Sequence, residues 1–193
     1  LGKEKLFSYI DLFGFGKKTG VDLNGEGKGI IFNLNRVGEL ELVTTAFGQG
    51  VSVTPIQQVS AVSAVVNGGN LYKPYIIKSV LSADMSEVIY ETEPEVLNTI
   101  NVSTKTLKIV KQGMRQVLTS TENSAHYIFQ DCIVEAAGKT GTSQLKRTTE
   151  DGTVVNCNNG FFISYAPYED PEIAVAVIGE NVKSGGGIST VAV

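Results

Sequence analysis

Three extended segments in the second half of the chain constrain its fold most strongly. They lie at residues 137–145, 161–166 and 173–179, and a turn at residues 167–171, bounded by prolines, joins the last two. Strands joined by so short a turn are predicted to pair antiparallel. Residues 173–178, Ile-Ala-Val-Ala-Val-Ile, are apolar on both faces, which predicts a central strand covered by helices on both sides.

Helices are predicted from start signals and apolar spacing. Residues 3–13 have helical spacing, and residues 54–57, Thr-Pro-Ile-Gln, combine an N-cap, a proline at the first helical position and a capping box. Asn-Gly-Gly at residues 67–69 ends that second helix. A third helix is predicted over residues 104–118. The residues expected to line one face of these last two helices are Ile56, Val59, Val62 and Val66, and Leu107, Val110, Met114 and Val117.

Composition excludes several classes of protein. The 193 residues are 42% hydrophobic, enough for one domain with a core. The net charge is −4 with both signs interspersed, so no nucleic-acid partner is expected. No apolar run approaches the roughly 20 residues of a membrane span. The chain starts without an initiator methionine or signal peptide and stops inside an apolar stretch, so we expect both ends to be cut from a longer chain.

Cysteine and histidine usage gives no sign of a metal or cofactor. Cys132 and Cys157 are too few for a disulfide scaffold. Two readings stay open: two isolated thiols, or one disulfide tying the segment before the 137–145 strand to the loop after it. His126 is the only histidine and has no cysteine at ligand spacing, so neither a metal site nor any other cofactor is expected.

Four stretches of the sequence, in order, carry a family resemblance. They are residues 13–23 (FGFGKKTGVDL), residues 47–57 (FGQGVSVTPIQ), the pair 67–69 (NGG) and 73–75 (KPY), and residues 137–144 (AGKTGTSQ). The last contains Lys139-Thr140-Gly141-Thr142, called the Lys-Thr-Gly segment below. Lys-Thr-Gly on a strand is one of three signature motifs of serine acyl-enzymes that act on D-alanyl peptides and β-lactams. The chain resembles the C-terminal part of a penicillin-binding protein transpeptidase domain, of the monofunctional class B type of Gram-positive bacteria.

The resemblance implies a fold and a domain assignment. The fold is α+β, with an antiparallel sheet flanked by helices, as a partial serine β-lactamase or penicillin-binding transpeptidase fold. Residues 1–193 are interpreted as the C-terminal portion of a single transpeptidase domain. The family's Ser-x-x-Lys and Ser-x-Asn segments are expected upstream of this chain and its final helix downstream.

The resemblance also implies roles for the Lys-Thr-Gly segment. Lys139 places a positive charge near the substrate carboxylate and the reacting serine, and the hydroxyls of Thr140 and Thr142 bind that carboxylate. Gly141 lets substrate backbone lie against the strand edge. The backbone N–H of Thr142 is one oxyanion-hole donor. No nucleophile is assigned in this chain, so the chain alone is expected to be inactive.

The implied function is peptidoglycan D,D-transpeptidation through a serine acyl-enzyme, the target of penicillin. Two alternatives stay open: a non-enzymatic β-lactam sensor domain, and an isolated interaction or structural fragment without activity. The implied partners are peptidoglycan stem peptides ending in D-Ala-D-Ala, β-lactams and other cell-wall synthesis proteins. The parent protein is expected at the extracytoplasmic face of the bacterial membrane, held by an anchor outside this chain.

Three sequence matches are predicted to be decoys because their context is wrong. Residues 18–20 repeat Lys-Thr-Gly within a glycine-rich loop. Residues 143–146 spell Ser-x-x-Lys, but they extend a strand, where positions three apart face opposite sides. Residues 121–123, Thr-Glu-Asn, imitate Ser-x-Asn in a polar loop. A glycosylation sequon at residues 101–103 is better explained by Ser103 as a helix N-cap.

Overall fold

The computed structural model describes residues 2–33, 35 and 37–182. The chain folds into two compact units, one formed by Leu1–Ala64 and Gly69–Asn101 and the other by Val65–Gly68 and Val102–Val193. Within the described residues, none of the helices combines the length and apolar composition needed to cross a bilayer.

Three helices and four short strands form in the described residues of the first unit. In chain order they are α1 (Lys3–Leu12), α2 (Glu39–Ala46), α3 (Pro55–Val66, whose last two residues belong to the second unit), β1 (Asn70–Tyr72), β2 (Ser79–Leu81), β3 (Val88–Glu91) and β4 (Val96–Thr99). β1 pairs with β4 and β2 with β3, both antiparallel. The predicted α1 and α3 are confirmed. The sequence also predicts a hairpin with strands at residues 75–81 and 87–90, and the β2–β3 pair confirms it, whereas α2 and the β1–β4 pair had no sequence prediction.

Helix α3 starts as its sequence predicts. The Thr54 N–H donates to Gln57 Oε1 over 2.9 Å, and the Gln57 N–H donates to Thr54 Oγ1 over 3.3 Å, which completes the capping box. The helix buries a different face from the one expected. Of the four predicted apolar positions only Val62 is buried, and the other buried residues of the helix are Gln57, Ala61 and Ala64. Ala61 and Ala64 are the small residues that the sequence predicts to allow close packing of this helix, and both are buried, which confirms that part of the prediction.

The described part of the second unit, up to residue 182, is built from two helices and one antiparallel sheet. They are α4 (Thr104–Thr119), α5 (His126–Phe129), β5 (Ala137–Thr148), β6 (Val154–Ala166) and β7 (Ile173–Val182), with the strands in the order β5–β6–β7. The side chain of Ser103 caps α4 by accepting a hydrogen bond from the Thr106 N–H over 3.1 Å. A core cluster of Leu118, Ala125, Ala136 and Phe162 joins the last turn of α4 to the sheet.

One strand prediction is wrong within the described residues. β7 was expected to be central, but the central strand of the described sheet is β6, and β7 pairs with β6 alone. Three of its apolar side chains are exposed to different extents: Ile173 at 63%, Val175 at 43% and Val177 at 39%. A strand that is apolar on both faces can be covered on both faces, but this pattern does not specify whether the strand is central or at an edge of the sheet.

Candidate active-site strand

The Lys-Thr-Gly segment lies in the first half of β5, as the sequence predicts. Lys139 pairs with Ile163, and Gly141 pairs with Phe161, in a continuous antiparallel register with β6. Lys139 and Thr142 are exposed, and Thr140 and Gly141 are half-buried. All four predicted site residues are therefore brought together on one strand and within reach of solvent.

β5 is an edge strand in the part of the chain that the structure describes. β6 pairs with one edge of β5, and no other described strand pairs with the opposite edge of β5. Side chains alternate along a strand, so Lys139 and Gly141 point to one face and Thr140 and Thr142 to the other. A ligand that contacts both Lys139 and the two threonines must therefore lie along the edge of β5 and not on a single face. A bound extended peptide would satisfy this geometry by strand addition.

The Lys139 ammonium is held against its own strand. Its Nζ donates to the carbonyl oxygen of Thr140 over 2.5 Å. No ion pair with Lys139 forms among the described side chains. The charge is thus placed beside the segment without a carboxylate to neutralise it, which is what binding an anionic substrate group requires.

The beginning of β5 is fixed by close packing on one side. Gly138 is buried, and a Cβ built on it would lie 2.7 Å from Phe162 Cζ and 2.8 Å from the Ile163 carbonyl oxygen. The Phe162 ring, 3% exposed, therefore occupies the space that any side chain at position 138 would need. This close approach explains why residue 138 is a glycine. It does not explain the glycine at position 141, since the nearest atom to a Cβ there is Phe161 Cβ at 3.5 Å.

Arg115 of α4 contacts the chain just before β5. One guanidinium nitrogen donates to the Ala136 carbonyl oxygen over 2.7 Å and the other to Glu135 Oε1 over 2.8 Å. The same guanidinium lies 5.8 Å from the centroid of the Tyr168 ring. Sequence reasoning missed Arg115, because an arginine in an amphipathic helix carries no signal that separates an anchor from a solvated charge.

The first decoy, residues 18–20, has a structural role in a loop of the first unit. The Glu26 carboxylate accepts hydrogen bonds from the Thr19 N–H and hydroxyl, both over 2.6 Å, and from the Gly20 N–H over 3.1 Å. Burial raises the pKa of Glu26, but the bonds from Thr19 and Gly20 outweigh it and leave the pKa below its usual value. Thr19 is 8% exposed and turned inward, so this triplet lacks the accessible strand of the other.

The other decoys also lie where they were expected. Ser143 and Lys146 are both on β5, in extended conformation, and the Thr121–Asn123 stretch is in the loop between α4 and α5.

His126 Nδ1 lies 3.3 Å from the Leu118 carbonyl oxygen and its ring packs edge-on against Tyr127. Within the described ranges, no group of three His, Cys, Asp or Glu side chains is placed to hold a metal ion. Cys132 is exposed, Cys157 is buried and both are free, so of the two readings the isolated thiols apply.

An antiparallel sheet with a packed helix and an accessible edge strand bearing Lys-Thr-Gly is typical of the serine acyl-enzymes with the β-lactamase-like fold. The comparisons with known proteins agree. The model of the penicillin-binding protein transpeptidase domain matches residues 1–193. The chain therefore belongs to the penicillin-binding protein transpeptidase family, which confirms the resemblance and the α+β fold expected from the motifs.

Individual relatives are similar over nearly the whole chain. Stage V sporulation protein D of Bacillus subtilis is 46% identical over 184 residues, which is 95% of this chain and 27% of that protein. Peptidoglycan D,D-transpeptidase MrdA of Acinetobacter baumannii is 28% identical over 209 aligned residues, covering 100% of this chain and 30% of that protein. The solved structure of penicillin-binding protein 2B of Streptococcus pneumoniae R6 superposes with a TM-score of 0.81 at 29% identity, over 98% of this chain and 31% of that one. This chain spans about a third or less of each relative's length.

Proposed function

We propose that this chain is the substrate-binding part of a peptidoglycan D,D-transpeptidase that works through a serine acyl-enzyme. The observation that carries the proposal is the Lys-Thr-Gly segment on the accessible edge of β5. The family match over the whole chain supports it, and so does the transpeptidase name of a relative that covers it fully.

In this proposal β5 acts as one wall of the active site. A stem peptide ending in D-Ala-D-Ala lies along its edge, with the terminal carboxylate between the Lys139 ammonium and the hydroxyls of Thr140 and Thr142. The absence of a side chain at Gly141 leaves room for substrate backbone. The Thr142 N–H donates to the oxyanion as it forms. We assign the serine nucleophile and the Ser-x-Asn motif to a part of the parent protein outside these residues, and a residue adjoining that serine to the second oxyanion donor.

The environment of the parent protein is part of the same proposal. Peptidoglycan and β-lactams lie outside the bacterial cytoplasm, so we place the parent at the extracytoplasmic face of the membrane with an anchor beyond this chain. Other cell-wall synthesis proteins are its expected partners. The 46% identity to a protein named for stage V of sporulation favours a role in spore formation. Deleting the gene should then lower the yield of heat-resistant spores and leave vegetative growth unchanged; equal losses of both would reject that role.

The first test is the intact mass of two proteins after incubation with benzylpenicillin. We expect a stoichiometric adduct on the full-length parent and none on this chain alone. No adduct on the parent would reject the transpeptidase proposal. A stoichiometric adduct on this chain would reject the assignment of the nucleophile elsewhere, with Ser143 the first serine to examine. A parent that is acylated but never turns over a D-Ala-D-Ala peptide would instead be a β-lactam sensor.

Lys139→Ala tests the role of the segment itself. Charge-assisted hydrogen bonds contribute about 1.5–3 kcal/mol, so the acylation efficiency of the parent should fall by about 10- to 100-fold. Lys146→Ala is the matched control, because Lys146 is an exposed lysine on the same strand. An equal effect of the two substitutions would show that only the net charge of the strand matters and would remove the specific role of Lys139.

A further inference from the structure

The start of β5 is fixed from two sides, and Arg115 takes part in both. On the helix side its guanidinium holds Ala136 and Glu135 by two hydrogen bonds of 2.7 and 2.8 Å. On the turn side the Tyr168 N–H donates to the Glu135 carbonyl oxygen over 2.8 Å, and Arg115 lies over the ring of Tyr168. The two residues that precede β5 are thus clamped between α4 and the turn that follows β6.

The contacts of Arg115 affect the position of the Lys-Thr-Gly segment because an extended strand already spans nearly the maximum length of its residues and cannot lengthen. Ala136 is three residues before Lys139, which is about 10 Å along an extended chain. Gly138, between them, packs against Phe162, so the backbone there cannot move toward that ring. A shift of Ala136 along or across the strand is therefore passed on to Lys139 and Thr140. Arg115 itself is well placed to resist such a shift, since its side chain is only 24% exposed.

The chemistry of the contact needs an arginine. A guanidinium is planar and donates two bonds in a fixed fork while its face rests on an aromatic ring, whereas a lysine ammonium is a point charge on a flexible stem. The fork lets one side chain donate to the Ala136 carbonyl oxygen and to the Glu135 carboxylate while its face lies on the Tyr168 ring. Glu135 is largely exposed, at 67% of its side chain, so we expect the Ala136 carbonyl to be the more important of the two acceptors.

We propose that Arg115 is a positioning residue for acyl transfer. By holding the Ala136 carbonyl oxygen, Arg115 fixes where Lys139 and Thr140 lie along the bound substrate. This inference rests on the proposed function, since it assigns Arg115 to the same reaction. Arg115 does not touch substrate in this assignment. Misplacement of catalytic groups by about 1 Å can cost on the order of 100-fold in rate, so we expect losses of rate and not of folded protein.

The experiment uses the full-length parent with Arg115→Met, Arg115→Lys and, as matched control, Arg147→Lys, an exposed arginine on β5. The acylation rate constant with benzylpenicillin at saturation and the final fraction of acylated protein are measured separately. We expect the saturating rate constant to fall by about 10- to 100-fold for Arg115→Met and by about fivefold or more for Arg115→Lys, with the final adduct still stoichiometric. Arg147→Lys should keep the wild-type rate.

The two measurements separate positioning from folding. A purely structural role would lower the final adduct fraction and leave the rate constant of the folded molecules unchanged, and that result would overturn the proposal. If Arg115→Met fails to fold, Arg115→Lys decides: a wild-type rate constant refutes positioning, and a reduced one at full adduct supports it. Absence of an adduct on the wild-type parent would instead reject the proposed function, so the two failures are distinct.

Discussion

Two glycines of β5, three residues apart, should respond in opposite ways to the same added methyl group. At Gly138 the new Cβ would lie 2.7 Å and 2.9 Å from two atoms of the Phe162 ring and 2.8 Å from the Ile163 carbonyl oxygen. The ring is held in the core cluster, and the carbonyl belongs to the paired strand β6. Neither neighbour can move without disturbing the sheet. At Gly141 the nearest atom is 3.5 Å away, an ordinary contact distance.

The magnitudes follow from two opposing effects. Overpacking of a well-filled core costs about 1–3 kcal/mol. Replacing glycine by alanine also restricts the unfolded chain and stabilises by about 0.4–1 kcal/mol where the backbone conformation permits it. Both glycines gain the second effect, and only Gly138 suffers the first. Gly138→Ala should therefore be less stable than Gly141→Ala by about 1–3 kcal/mol, the overpacking cost itself.

Hydrogen exchange of the β5 and β6 amides in the full-length parent measures this difference locally. We expect faster exchange in Gly138→Ala and unchanged or slower exchange in Gly141→Ala. Acylation by benzylpenicillin should be slower in Gly141→Ala, because the new methyl group would lie on the Lys139 face of the strand, beside the edge that we propose the substrate occupies. Equal exchange in the two variants, within about 0.3 kcal/mol, would refute the argument by showing that the Phe162 ring rotates away freely.

Three further predictions concern the rest of the chain. Asp22 accepts hydrogen bonds from the N–H groups of Ile77 and Ile76, which hold its pKa below its usual value. The contribution of Asp22 to stability is therefore present above the unfolded pKa and lost as pH falls through the lower folded pKa. The exchange protection of these two amides should drop over that acid range, and Asp22→Asn should abolish the pH dependence. Gln57 is 1% exposed and donates to two loop carbonyl oxygens, so Gln57→Leu should cost about 1–3 kcal/mol in thermal unfolding; an unchanged melting temperature would contradict this. Ser103→Ala removes the cap of α4 and should cost about 1 kcal/mol, whereas Ser103→Asp should retain the cap.

Local signals predicted the elements that they specify directly. The capping box of α3, the Ser103 cap of α4 and the proline-bounded turn between β6 and β7 each depend on a few neighbouring residues, and each is present. The same holds for the position of the Lys-Thr-Gly segment on a strand. Helix α2 was missed because its N-cap, Gly38, has no side-chain oxygen and so gives no capping signal of the Ser, Thr, Asp or Asn type in the sequence.

The parts that could not be predicted depend on interactions between distant residues. The hydrophobic pattern of one strand does not specify the order of strands in a sheet, so the sequence could not show that β7 lies at the edge of the described sheet. The pairing of β1 with β4 joins residues 70–72 to residues 96–99 across the β2–β3 hairpin, and such short strands give no periodic signal. Arg115 reaches its acceptors 20 and 21 residues further along the chain.

The two Lys-Thr-Gly triplets show why a motif gains its meaning from the strand that carries it. In residues 18–20 the backbone turns, and Gly20 has a φ of +77°. The Glu26 carboxylate accepts hydrogen bonds from the N–H groups of Thr19 and Gly20 and from the Thr19 hydroxyl. The donors that would bind an outside anion are thus already occupied. In the triplet at residues 139–141 the backbone donors and acceptors are ordered by one paired neighbour, β6, and the lysine carries no carboxylate partner among the described residues. The same three residue types stabilise a loop in one place and lie on an accessible strand edge in the other, and we propose that the second arrangement is the one that binds a substrate carboxylate.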